Sequence, residues 1–187
     1  IGTSIAISSD GSALANDDGT NNENIAIGKN ALFSATIQVE NIAIGSGTLY
    51  HTTGGGNVAI GNTAGISQTN GNSNTFIGNG CGYSWLGGYA NTGIGAGSLN
   101  AAGTGSYNIG VGDSAGNALT TGQYNFLGGY QAGNSLTTGS ENVFLGRTAG
   151  QEFVTANSCI VIGNTALSAD SRTDAFGVVH IGDGAGN

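Results

Sequence analysis

Basic side chains are nearly missing: three Lys plus Arg stand against eleven Asp plus Glu, a formal net charge of −8 over 187 residues. A surface so poor in cations has nothing with which to neutralise phosphates, which excludes nucleic acid as a partner and an anionic membrane surface with it. Long hydrophobic runs are also absent. No apolar stretch approaches the roughly 18 residues of a membrane helix, so no membrane insertion is expected. The chain opens at Ile1 with neither Met nor a basic leader, so no signal peptide is visible and a processed chain or a fragment is expected. Proline and methionine are missing altogether and only 7% of residues are charged, which departs far from ordinary globular usage and requires a special architecture.

Ligating and catalytic side chains are scarce. The two cysteines, Cys81 and Cys159, fall at different places in the repeat described below, so stacking would not set them side by side. Two small buried thiols are expected rather than a disulfide. With only His51 and His180 to add nitrogen ligands, no metal and no cofactor is expected. The carboxylates are spread thinly from Asp10 to Asp183, and no pair recurs at the repeat spacing. His51 sits beside Thr52 and Thr53 with no nucleophile-elbow motif, so the chain is not read as an enzyme. The segment DDGTNNEN, Asp17 to Asn24, groups carboxylates and amides but lacks both EF-hand spacing and glycine-rich calcium repeats, and an acidic turn explains it.

What is abundant is glycine, 37 residues, beside 38% hydrophobic residues placed at regular spacing, which argues against disorder. The order is a repeat: Asn, apolar, small or apolar, Ile, Gly, two variable residues, Ala, then Gly or Leu. It reads NIAIGKNAL from Asn24, NIAIGSGTL from Asn41, NVAIGNTAG from Asn57, NTFIGNGCG from Asn74 and NTGIGAGSL from Asn91. It continues as NIGVGDSAG from Asn108, NFLGGYQAG from Asn125, NVFLGRTAG from Asn142, CIVIGNTAL from Cys159 and VVHIGDGAG from Val178. A degenerate copy, SIAIS, occupies residues 4–8. The motif glycines are 28, 45, 61, 78, 95, 112, 129, 146, 163 and 182, so seven of nine spacings are 17, with one of 16 and one of 19.

A period of 17 is too short for a helical hairpin and holds two short strands and two tight turns. The expected fold is therefore all-β, a parallel β-roll or β-solenoid of about eleven coils forming a single repeat domain over 1–187. The repeats lie near 4–8, 24–32, 41–49, 57–65, 74–82, 91–99, 108–116, 125–133, 142–150, 159–167 and 178–186. The first strand of each coil is the NIAIG segment, and a second, weaker strand is expected in stretches such as Ala118 to Gly122 and Ser135 to Gly139. By alternation, Ile25 with Ile27 and Ile42 with Ile44 are expected to fill the coil interior. The residue between them, such as Ala26, Ala43, Phe76 or Leu127, would face outward. Because that face is also small or apolar, something must cover it, most simply identical chains around an axis. A homotrimer is expected, with an end-to-end filament as the alternative.

Eight successive units carry the motif asparagine: Asn24, Asn41, Asn57, Asn74, Asn91, Asn108, Asn125 and Asn142. These are read as a structural amide ladder rather than a ligand site. Tyr83, Trp85 and Tyr89, set among Gly80, Gly82, Gly87 and Gly88, make the aromatic-rich loop. They pack at a subunit seam or form a glycan contact, since sugar faces stack on rings.

The NIAIG and NVAIG motifs with their small-residue turns resemble the head repeats of YadA-like trimeric autotransporter adhesins, and related NVFIG-type repeats occur in phage tail-fibre-like proteins. That resemblance implies a left-handed parallel β-roll assembled as an intertwined trimer, extracellular, on a cell surface or virion, displaying a surface for attachment. The function expected is a structural and adhesive fibre module that meets a host receptor or surface glycan. A self-assembling extracellular filament is the alternative, and ice binding, suggested by the pairs Thr52–Thr53, Thr120–Thr121 and Thr137–Thr138, is a third.

Overall fold

The computed structural model describes residues 4–14, 23–34, 39–101, 103–168 and 174–184. The described residues contain eleven strands of three residues each and no helix. In chain order they are β1 (Ile5–Ile7), β2 (Ile25–Ile27), β3 (Ile42–Ile44), β4 (Val58–Ile60), β5 (Thr75–Ile77), β6 (Thr92–Ile94), β7 (Ile109–Val111), β8 (Phe126–Gly128), β9 (Val143–Leu145), β10 (Ile160–Ile162) and β11 (Val179–Ile181). They pair in sequence order into one parallel sheet. The register is that of the motif, with Ile25 against Ile42, Ala26 against Ala43 and Ile27 against Ile44. The fold is thus an all-β solenoid in which each repeat adds one rung.

The strands are short because both ends are bracketed by residues that turn the chain. From β2 onward, the residue two positions before each strand is left-handed, for example Glu40 (φ 63), Ala90 (φ 54) or Tyr107 (φ 62). Directly after each of these strands comes the motif glycine, in a region closed to residues with a Cβ, as at Gly78 (φ 139). Close approach adds a second demand. A Cβ on Gly78 would stand 2.5 Å from the carbonyl oxygen of Gly95 in the next coil.

The facing of the strands is the reverse of the expectation. The middle residues Ala26, Ala43, Ala59, Phe76, Leu127, Phe144 and Val161 are all fully buried, while their neighbours in each strand are half-buried or exposed. Parity explains it. The preceding asparagine is buried, and side chains two apart share a face, so Asn24 and Ala26 point in while Ile25 and Ile27 point out. The interior is completed from the turns by Leu32, Leu49, Leu99, Leu119, Leu136, Phe153 and Leu167. Volume is exchanged between rungs: where β6 carries Gly93, Cys81 and Phe76 fill the space, and Gly103 leaves room for the Trp85 ring.

Among the described residues the second side of the coil is not a strand. Parallel bridges there are isolated, Asn72 with Tyr89 and Asn157 with Phe176. Coils still bond across it, Thr120 N–H to Thr137 O at 2.8 Å and Thr137 N–H to Val154 O at 2.8 Å. Extended pairing fails because each stretch begins inside a tight turn, with Leu119 N–H bonded to Gly116 O and Leu136 N–H to Gly133 O, both at 3.0 Å. Too little straight backbone is left for a ladder of strand length.

Candidate functional site

The asparagine ladder is continuous and buried. The Asn74 Oδ1 accepts the backbone N–H of Asn91 at 2.9 Å and its Nδ2 at 3.0 Å, and Asn91 Nδ2 also donates across the coil to Gly105 O at 2.9 Å. The same backbone bond runs from Asn41 onto Asn24 and on to Cys159, whose N–H reaches Asn142 Oδ1 at 3.0 Å. The cross-coil bond recurs at Asn41, Asn57, Asn74, Asn108, Asn125 and Asn142. Every one of the eight side chains is at most 1% exposed. The column therefore joins successive coils and ties the two sides of each coil, and it presents nothing to an external ligand.

The outward face of the sheet carries two columns of side chains, those at the first and third positions of each strand. From Ile25 and Ile27 to Val179 and Ile181 they are Ile, Val, Leu, Phe, Thr or Gly, without one charged residue. Ile94, Ile109, Val111 and Phe126 are each about two-fifths exposed. At a strand spacing of about 4.8 Å, eleven strands extend this apolar band over roughly 50 Å.

The three aromatic candidates separate. Trp85 is fully buried, so it is a core residue and cannot touch a glycan. A large ring among many glycines reads as a surface platform in sequence, but the room for the indole is left by Gly103 of the next coil, where an added Cβ would stand 2.3 Å from the ring. Tyr83 (44% exposed) and Tyr89 (53% exposed) are accessible but serve different places. Tyr83 lines a groove of about 470 Å³ with Asn79, Asn100, Asp113 and Asn117, among others, whereas Tyr89 lies outside it in the bridge with Asn72. Tyr107 and Tyr124, which no motif singles out, stack with centroids 5.0 Å apart and planes 2° from parallel. Their shared position, just before the motif asparagine, is the signal that finds them.

The remaining candidates are structural in their contacts. Cys81 and Cys159 are buried, free thiols, and burial pushes the Cys81 thiol up to about 12. His51 is exposed and stands edge-on to Tyr50. Asp17 to Asn22 lie outside the described residues. Among the described residues no group of three or more His, Cys, Asp and Glu could hold a metal ion, and no helix is long and apolar enough to cross a membrane. The threonine pairs do not form an open hydroxyl array: Thr52 is buried, and Thr53, Thr120 and Thr137 donate their hydroxyls to carbonyls of the next coil, Thr69 O, Thr137 O and Val154 O. Compared with protein-family models, curated proteins and solved structures, the chain matches none.

Proposed function

We propose that the chain is the shaft of an attachment fibre: a rigid extracellular β-solenoid that associates with two further copies of itself and carries a surface for contact with a receptor or glycan. The observation that carries this reading is the uncharged, apolar band on the outward face of the sheet. A surface apolar over this length is expected to be covered. A second copy suits it well, since its band repeats with the same strand spacing and, like the first, lacks charge. The chemistry on hand favours structure over turnover, because the best-ordered polar array, the asparagine ladder, is buried.

Light scattering over a wide concentration range tests it. A constant mass of three chains is expected. Mass that grows without limit would point to the filament instead, and a monodisperse monomer would remove the association altogether.

A further inference from the structure

We propose that the groove beside Tyr83 binds a neutral saccharide ring. The inference rests on the attachment reading and names its ligand class. The groove opens on the turn side of the coils, where the second residue after each motif glycine forms a column. Equivalence along that column is fixed by the backbone: Thr63, Gly80, Gly97, Ser114 and Gln131 each donate N–H to the carbonyl of the residue after the motif glycine of the preceding coil, at 2.8–3.1 Å. All five are left-handed, with φ from 53 to 60. A side chain is therefore compatible with the conformation, as Thr63, Ser114 and Gln131 show. The two glycines are not demanded by the backbone, and together they leave a gap two coils tall between Thr63 and Ser114. A Cβ on Gly80 would meet nothing within 4 Å, and one on Gly97 would meet only Asn117 Nδ2 and Ser114 Oγ, both at 3.7 Å.

What lines the gap matches a pyranose in shape and polarity. A pyranose offers an apolar C–H face and a rim of hydroxyls that both donate and accept. Tyr83, 44% exposed, supplies a ring for the face. Asn79, Asn100 and Asn117 supply planar amides for the rim. Asn100 Oδ1 is buried without a hydrogen-bond partner, and turning the amide into the gap would satisfy it against a ligand hydroxyl. Asp113 accepts Ser114 Oγ at 2.7 Å with one oxygen, and its second oxygen can accept a sugar hydroxyl. No Lys or Arg lines the groove and the chain carries a net charge of −8, so a sialylated or sulphated sugar is disfavoured.

The full chain, applied to an array of glucose-, galactose-, mannose- and N-acetylhexosamine-terminated oligosaccharides beside sialylated and sulphated ones, should retain a neutral glycan. Tyr83→Ala should weaken that binding by about tenfold or more, through loss of the stacking face. Gly97→Gln should abolish it by filling the gap, while circular dichroism stays unchanged because Gln131 already occupies the equivalent site. Retention of acidic glycans alone, retention that survives both substitutions, or a silent array would each overturn the saccharide site. The labelled chain applied to a panel of intact cells separates the two failures. Adhesion with a silent array removes the sugar and leaves attachment, whereas array binding without adhesion removes attachment and leaves the sugar.

Discussion

Cys81 and Gly93 show how single residues hold this interior together. The alanine column to which Cys81 belongs, with Ala64, Ala115 and Ala132 in other coils, has a larger side chain here because the facing strand position is glycine. A Cβ on Gly93 would stand 2.6 Å from Cys81 Sγ and 3.2 Å from Phe76 Cδ1. Gly93→Ala alone should therefore overpack the coil and cost about 1–3 kcal/mol. Cys81→Ala alone should leave a small void and cost about 1–2 kcal/mol. The double substitution restores the Ala–Ala pairing found between successive coils at Ala31 and Ala43 and should recover most of both losses, so urea unfolding of the four proteins should show a favourable coupling of about 1 kcal/mol or more. Additive losses would mean that the two residues do not share the space. The same scale shows what is legible in the letters. The repeat and the asparagine column are plain there, but hydrophobicity alone makes Ile the inward residue and so reverses the facing. The parity of a buried Asn two positions before Ala26 carries the correct answer.

Between coils, stability is set by two columns that do different work. The glycine column lets the backbones meet: Gly78 combines φ 139 with a separation of only 2.5 Å between an added Cβ and the next coil's carbonyl oxygen. Two residues on, Gly80 has φ 59 and open space. Gly78→Ala should therefore cost more than about 3 kcal/mol, and Gly80→Ala about 1 kcal/mol or less. The asparagine column supplies the bonds. Asn91→Ala removes the acceptor of the Asn108 N–H, which is then buried without a partner, and also takes from Gly105 O the donor that reaches it across the coil. A loss of about 2–4 kcal/mol is expected, measurable in the same urea titration. Near-neutral behaviour of either Gly78→Ala or Asn91→Ala would show that adjacent coils are not coupled through that column. The glycine period announces this coupling in the sequence. The second strand, in contrast, is suggested by composition and absent among the described residues: stretches such as ALTTG have strand-forming residues, but a turn closing at Leu119 consumes the extended backbone a ladder needs.

Over the whole molecule, the long apolar band itself supplies the means to find out what it meets. Ile94 and Val111 are adjacent on the outward face, paired in register between β6 and β7, and about two-fifths exposed. Replacing both by Asp puts like charges about 5 Å apart on a surface otherwise free of charge. In a lone solenoid the carboxylates remain in water, so the coil should fold as before, with little change in circular dichroism. In an assembly that buries the band, the same pair must be desolvated without a cation nearby, a penalty of several kcal/mol per chain. The mass by light scattering should therefore fall from three chains to one for Ile94→Asp with Val111→Asp. Tyr130→Asp, on the turn that follows β8 at the position Asp113 holds one coil earlier and 47% exposed, should leave the mass unchanged. If both proteins keep the mass of the parent, the strand face is not where chains meet; if both dissociate, the contact extends around the coil to the turn side and the groove beside Tyr83 lies near it.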